Sequence, residues 1–116
     1  MNKLIIIVVL CWVTSLSAIA QPKVEKFCEV TTRPRTGFTV KRVAFISFGE
    51  QPDLFNFKDS SIINNLQKVT TFTTDADVLN YMSGQGWKLV TMVSTGNTWE
   101  NFYFKKEFDK SELAGQ

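Results

Sequence analysis

The stretch that decides the fold is residues 74–106, TDADVLNYMSGQGWKLVTMVSTGNTWENFYFKK. Thr74, followed three residues later by Asp77, resembles a capping box, in which a threonine side chain accepts a hydrogen bond from a backbone N–H of the first helical turn. Apolar residues then recur at helical spacing. We therefore expect a helix over roughly residues 75–83.

Two glycines follow this helix and separate it from a β-hairpin. Gly84 and Gly86 can adopt the left-handed backbone conformation that ends a helix. Strands are expected over residues 87–94 and 99–107, joined at Gly96-Asn97, a dipeptide suited to a two-residue hairpin turn.

The register set by that turn sorts the side chains of the hairpin onto two faces of the sheet. One face is strongly apolar and is expected to lie under the helix; it carries Trp87, Leu89, Phe102 and Phe104. The opposite face is half apolar. On it the predicted cross-strand pairs are Val90 with Tyr103, Met92 with Asn101, and Ser94 with Trp99.

The sequence pattern in the first half of the chain predicts a second hairpin. Residues 24–32 and 38–48 are rich in β-branched and aromatic side chains, and Pro34 and Gly37 mark the turn between them. A run of basic residues without an acid crosses this hairpin, at Arg33, Arg35, Lys41 and Arg42. We interpret the run as a solvated hairpin tip, with an anionic glycan or a lipid headgroup as the alternative. We expect no nucleic-acid partner, because no aromatic platform interleaves with the basic residues.

The connection between the two hairpins is expected to be irregular. Residues 49–61 form a loop whose Phe55 and Phe57 either display a functional surface or, as we prefer, fold back as a lid on the core. Residues 62–72 suit a short hairpin around the pair Asn64-Asn65.

Together these elements predict an α+β fold, an antiparallel sheet of about four to five strands with one helix packed on one face. Residues 21–116 are expected to form a single domain. Its last residues, 109–116, are expected to be a frayed polar tail.

Three short stretches of the C-terminal half carry a resemblance: Leu79-Asn80-Tyr81-Met82, Gly86-Trp87-Lys88-Leu89-Val90 and Phe102-Tyr103-Phe104-Lys105. They resemble a widespread family of small, uncharacterised bacterial domains, in which a helix ends in Gly-x-x-Gly-Trp-Glu-Leu-Val and a hairpin follows. Lys88 departs from the usual Glu of that motif. The resemblance implies an α+β sheet with one helix, a packing role for Trp87, and no established activity.

The N-terminus is typical of a secretory signal peptide. Lys3 precedes an apolar run over residues 4–13, and Ala18-Ile19-Ala20 supplies the small residues that a signal peptidase requires. The apolar run is much shorter than the ~20 residues that span a bilayer. We therefore expect cleavage after Ala20, leaving a secreted or periplasmic protein without a membrane span.

The composition excludes several kinds of chemistry. The chain has no histidine, and so lacks the commonest general base and the commonest transition-metal ligand. Of its two cysteines, Cys11 would leave with the signal peptide. Cys28 would then either be a buried apolar residue or form an intermolecular disulfide. We expect no metal site, because the chain has no histidine and would keep one cysteine, and no cofactor, because no motif for binding nucleotides is present.

Paired carboxylates are the one catalytic arrangement that composition leaves open, because glycoside hydrolysis needs only two of them at the right separation. The candidates are Asp53, Asp59, Asp75, Asp77 and Glu100. Simpler structural roles, such as acids in the first turn of a helix, explain each of them. We therefore expect a protein that is not an enzyme.

The face of the sheet opposite the helix is expected to hold more apolar surface than a small monomer leaves in water. Its members would be Phe27, Val43, Phe45, Val90, Met92, Trp99 and Tyr103. Residues 49–72, a second copy of the chain, or a ligand could cover it. We expect a non-catalytic interaction module that binds a protein through this face, with a homodimer as one form. The alternative is a small carbohydrate-binding domain of the cell envelope. The candidate binding residues are Trp99, Tyr103, Asn101, Met92 and Val90.

Overall fold

The computed structural model describes residues 22–36, 40–96 and 98–115. Four antiparallel strands form one sheet in the order β2-β1-β4-β3. The strands are β1 (Lys23–Pro34), β2 (Arg42–Ser47), β3 (Lys88–Thr95) and β4 (Trp99–Asp109). Two α-helices lie between β2 and β3, α1 (Ser61–Gln67) and α2 (Asp75–Gly84). The α+β class is confirmed, and the sheet carries two helices where we expected one.

The predicted signal peptide, Gly37 and Asn97 of the predicted turns, and Gln116 lie outside the described residues. Within the described residues, no helix combines the length and the apolar character needed to cross a membrane.

Alternating side chains divide the sheet into two faces, as the period of two along a strand requires. The face that we call the inner face is buried under the helices at β1, β2 and β4, and stays exposed along β3, at Leu89 and Met92. On it lie Cys28, Val30 and Thr32 of β1, Ala44 of β2, and Phe102, Phe104 and Phe108 of β4. The helices contribute Leu66, Val78 and Met82 to the same core.

The predicted start and end of α2 are confirmed. The Thr74 side chain accepts a hydrogen bond of 3.2 Å from the backbone N–H of Asp77. At the other end, Gly86 has a φ of +87°, and the N–H of Trp87 donates to the Met82 carbonyl at 3.0 Å. This six-residue closure directs Trp87 into the core, where its side chain is only 3% exposed.

The hairpin predicted for residues 62–72 is wrong. The segment forms α1 and a 3₁₀ turn, Lys68–Thr71, because Ile62, Leu66 and Val69 recur at helical spacing and reach the core from one side. Just before the helix, the Asp59 side chain accepts a hydrogen bond of 2.9 Å from the backbone N–H of Ser61.

The loop phenylalanines fold back as a lid, as we preferred. Phe55 and Phe57 are buried, and the Phe57 ring lies 4.5 Å from the Phe108 ring, centroid to centroid. Residues 109–115 depart from the expectation of a frayed tail, because Leu113 is buried and pairs with Phe57 in an isolated β-bridge. The buried apolar groups of residues 49–72, namely Phe55, Phe57, Leu66 and Val69, thus pack on the inner face.

The predicted register of the β3–β4 hairpin is right where Leu89 pairs with Phe104 and wrong from Thr91 to the turn. Thr95 pairs with Trp99, so three residues connect the strands, and Thr98 takes a φ of 66°. The pairing shifts again at a β-bulge between Leu89 and Thr91. A one-residue change of register moves every side chain beyond it to the other face. Val90 therefore sits at the bulge, and Met92 pairs with Phe102 on the inner side.

Candidate binding face of the sheet

The face of the sheet turned away from the helices is built from three rows of side chains that cross all four strands. The first row is Val43, Arg33, Trp99 and Thr95; the middle row is Phe45, Thr31, Asn101 and Val93; the third row is Ser47, Glu29, Tyr103 and Thr91. We call these twelve residues the outer face. Their order follows from the strand registers and from the burial of the alternate residues on the inner face.

Large apolar side chains on the outer face remain open to solvent. Phe45 is 46% exposed, Val93 46% and Trp99 43%. Phe27, which follows the third row along β1, is also exposed. Residues 49–72, one of the three covers that we considered, are packed on the inner face and leave this surface free.

An arginine lies between two aromatic rings in this face. The guanidinium carbon of Arg33 is 5.2 Å from the centroid of the Phe45 ring and 5.6 Å from that of the Trp99 ring. Such contacts attract a cation to the negative faces of the rings. They restrict the position of the Arg33 side chain while leaving its charge at the surface.

Polar groups in the centre of the outer face hold one another. The Thr31 hydroxyl lies 2.9 Å from Asn101 Oδ1 and 3.2 Å from Glu29 Oε1, and can donate its proton to either oxygen. The central strands therefore present fixed hydrogen-bonding groups between the exposed rings.

Three of the five predicted binding residues come together here. Trp99, Asn101 and Tyr103 lie side by side along the outer side of β4. Met92 and Val90 do not join them. The three-residue connection shifts the register by one, so that Met92 pairs with Phe102 on the inner side, and Val90 lies at the bulge. In the predicted register, both had been placed opposite residues of the outer face.

The sequence interpretation placed one residue of β1, Phe27, on this face and missed the other three. Arg33 was assigned to a hairpin tip, and neither Glu29 nor Thr31 was named as a candidate. The signal was present in the alternation of β1, where Cys28, Val30 and Thr32 are the buried residues. That alternation leaves the odd-numbered residues outside.

The predicted basic patch does not act as one surface. Arg42 is drawn toward the end of the sheet, where it donates from Nε to Thr32 Oγ1 at 3.1 Å and from Nη2 to the carbonyls of Thr32 and Thr98. Its Nε also lies 3.2 Å from Asp75 Oδ1. Arg33, by contrast, lies among the rings of the outer face.

Two of the candidate carboxylates do approach each other. Hydrogen bonding to Asp75 raises the pKa of Glu100, with burial and repulsion by the Asp75 charge acting in the same direction and Arg42 opposing them. Asp75 Oδ1 is buried and accepts no hydrogen bond within the described residues, because the nearby Nε–H of Arg42 is directed to Thr32. When Glu100 is protonated, its carboxyl group can donate a hydrogen bond to the Asp75 carboxyl group. We read this pair as a structural link between α2 and β4.

Cys28 is held away from solvent on the inner face. Its side chain is 4% exposed, and burial raises the pKa of its thiol to about 12. The thiolate is the reactive form of cysteine. This environment fits the buried apolar role better than the intermolecular disulfide.

Two cavities lined by described residues include none of the twelve residues of the outer face. One, of about 300 Å³, is lined by Glu25, Gly86, Lys88, Lys105, Lys106 and Glu107. Three of its charged side chains have partners: Lys105 pairs with Glu25 at 3.4 Å, and Lys106 donates to the Gln85 carbonyl at 2.8 Å. Nor do three or more potential metal ligands gather anywhere in residues 22–36, 40–96 and 98–115.

No family model, curated protein or solved structure matches the chain. The resemblance to the small bacterial domain family stays a prediction.

Proposed function

We propose that the protein is an exported, non-catalytic interaction module that binds a protein partner through the outer face of its sheet. The observation that carries this proposal is the exposure of Phe45, Val93 and Trp99 in one continuous patch, with the rest of the described apolar core packed on the other side. A small protein rarely leaves such a patch in water without a use for it.

The composition of the outer face suits protein contact. Aromatic residues and arginine are enriched in protein interfaces, and interface centres contain few charges. Here Arg33 and Glu29 are the two charged residues among the twelve, and aromatic rings flank the arginine. The hydrogen-bonded Thr31 and Asn101 supply the polar groups that orient a partner.

Site-specific photocross-linking in the producing cell tests this proposal. A photoreactive phenylalanine analogue at Phe45 should give a covalent adduct with a protein after irradiation. The matched control carries the analogue at Gln67, an exposed position of α1, and should give none. Introducing Trp99→Asp beside the probe at position 45 should remove the adduct, because it places an unpaired charge in the contact. The absence of any adduct from position 45, or equal adducts from both positions, would contradict the proposal.

A second candidate, a small carbohydrate-binding domain of the cell envelope, is favoured by the half-exposed ring of Trp99 beside Asn101 and Tyr103. Sugars stack on such rings and take hydrogen bonds from neighbouring amides. We rank it second, because the Arg33 guanidinium already lies against the Trp99 ring.

Fluorescence separates the two candidates. After signal-peptide cleavage the chain keeps Trp87 and Trp99, and the burial of Trp87 makes iodide quenching a report on Trp99. If envelope glycans protect Trp99 of the purified protein from iodide, and position 45 forms no adduct with a protein, the outer face binds a glycan and the proposal of protein contact fails.

A further inference from the structure

The two charges of the outer face are placed symmetrically. Arg33 and Glu29 lie on the same strand, each two residues from Thr31 in the middle row. Neither Arg33 nor Glu29 takes part in the ion pairs observed among the described residues, which are Lys23–Asp109, Arg42–Asp75 and Lys105–Glu25. At ~3.3 Å per residue the two positions are about 13 Å apart along β1, so they are poorly placed to pair with each other.

A rotation of 180° about an axis along the middle row places a second copy of the outer face against the first. The first row of one copy then lies opposite the third row of the other, so that the position of Arg33 faces the position of Glu29. A closed two-fold dimer requires a surface that is complementary to itself in this way. The charges of this surface meet that requirement.

We infer that the protein partner of the outer face is a second copy of this chain, packed face to face with β1 antiparallel to its counterpart, so that each Arg33 pairs with Glu29 of the partner subunit. This inference rests on the proposed function and names the partner. Packed sheets lie ~10 Å apart, a gap that an arginine and a glutamate side chain span together. Packing with β1 parallel in the same register would instead oppose like charges.

The uncharged residues support the same arrangement. Phe45 and Val93 lie in the middle row, so each meets its own copy across the two-fold axis. Trp99 of the first row meets Tyr103 of the partner subunit. The half-exposed apolar groups are thus removed from water together, while Arg33 keeps its contacts with the rings of Phe45 and Trp99.

The size of the patch predicts a weak dimer. Four strands spaced ~4.8 Å apart and about six residues in length give a flat footprint of roughly 20 Å by 20 Å. Stable interfaces commonly bury ~800 Å² on each partner. We therefore expect reversible association in the micromolar range, seen in sedimentation equilibrium as a rise in average mass with concentration.

Charge reversal tests the pairing of Arg33 with Glu29. R33E opposes two glutamates at each site and E29R opposes two arginines, so each variant alone should dimerise at least about tenfold more weakly than the wild type. In an equimolar mixture of the two variants, both sites of the mixed dimer regain opposite charges. Native mass spectrometry with one variant isotopically labelled should detect that mixed dimer. The double variant R33E/E29R should recover the wild-type dissociation constant.

Two controls keep the test specific. K68E and E50R reverse the charges of exposed residues outside the outer face and should leave dimerisation unchanged. Circular dichroism and the urea midpoint show that each variant is folded.

Two results would overturn the inference: wild-type protein that stays monomeric at high micromolar concentration, or single variants that dimerise like the wild type. If the wild type is monomeric and position 45 still cross-links to a different protein, the proposed function stands and the second copy is the wrong partner. If position 45 cross-links to no protein, the proposed function fails as well.

Discussion

At the scale of single residues, the end of α2 shows how one backbone conformation directs the chain into the core. Gly86 has a φ of +87°, and a Cβ built on it would lie 3.2 Å from Lys106 Cε. Gly84 is two residues earlier and has no heavy atom within 4 Å of such a Cβ. The sequence predicts Gly86 as the left-handed end of the helix, and the structure gives that conformation to Gly86 and not to Gly84.

We expect alanine substitution to act in opposite directions at these two positions. Gly86→Ala should lower the free energy of unfolding by about 1–2 kcal/mol, because a side chain at positive φ is strained. Gly84→Ala should leave it unchanged or raise it by up to about 1 kcal/mol, because alanine is the better helix former. Urea denaturation of the two variants and the wild type measures both values. Equal effects of the two substitutions would contradict the role given to Gly86.

At the scale of elements, the sequence correctly predicted the helix ends, which depend on hydrogen bonds between residues close together in the chain. Thr74 and Gly86 fix the ends of α2 through hydrogen bonds within a few residues, so the sequence was sufficient there. The helix α1 was missed because Asn64-Asn65 resembles a turn, although the spacing of Ile62, Leu66 and Val69 favoured a helix. The burial of Leu66 and Val69 in the core favours the helix over the turn.

The register error had a similar cause and a larger effect on the site. Gly96-Asn97 suits a two-residue turn, yet the observed pairing of Thr95 with Trp99 adds Thr98 to the connection. The bulge could not be predicted from local preferences, because Val90 and the following Thr91 are β-branched residues that favour a regular strand. Each change transfers side chains from one face to the other. The predicted placement of side chains on the outer face was therefore right for β4 and wrong for β3.

The carboxyl pair that joins α2 to β4 makes a prediction about pH. The pKa of Glu100 is raised above its ordinary value of 4.5, first by hydrogen bonding to Asp75. A raised folded-state pKa contributes stability that is fully present below the unfolded pKa and is lost as the pH rises through the folded pKa. Glu100→Gln keeps a hydrogen-bond donor toward Asp75 at every pH, so its stability should lack this decline.

Urea unfolding of the wild type and of Glu100→Gln, from roughly pH 4 to pH 8, measures the effect. The difference in unfolding free energy should move in favour of the variant as the pH rises from about 4.5 upward. Glu50→Gln, which changes an exposed loop residue, is the matched control. A difference that does not vary with pH would show that the pair does not share a proton.

At the scale of the whole molecule, one aromatic cluster joins segments that are distant in the sequence. The Trp87 ring lies 6.1 Å from the Phe55 ring and 5.9 Å from the Phe108 ring, between centroids. The loop, the end of α2 and the end of β4 are thereby fixed on the inner face. This concentration of apolar side chains on one face leaves Phe45, Val93 and Trp99 of the outer face exposed.

The same cluster gives the C-terminal segment a structural role, which the final prediction tests. Leu113 is 4% exposed and pairs with Phe57. Leu54, in the loop that carries Phe57, is 66% exposed. Leu113→Ala should lower the free energy of unfolding by about 2–5 kcal/mol, because it removes a buried side chain and leaves a cavity. Leu54→Ala should change it by less than about 0.5 kcal/mol. Since the core is shared, tryptophan fluorescence and circular dichroism should report one common midpoint for each variant. A Leu113→Ala protein as stable as Leu54→Ala would return residues 109–116 to the status of a frayed tail.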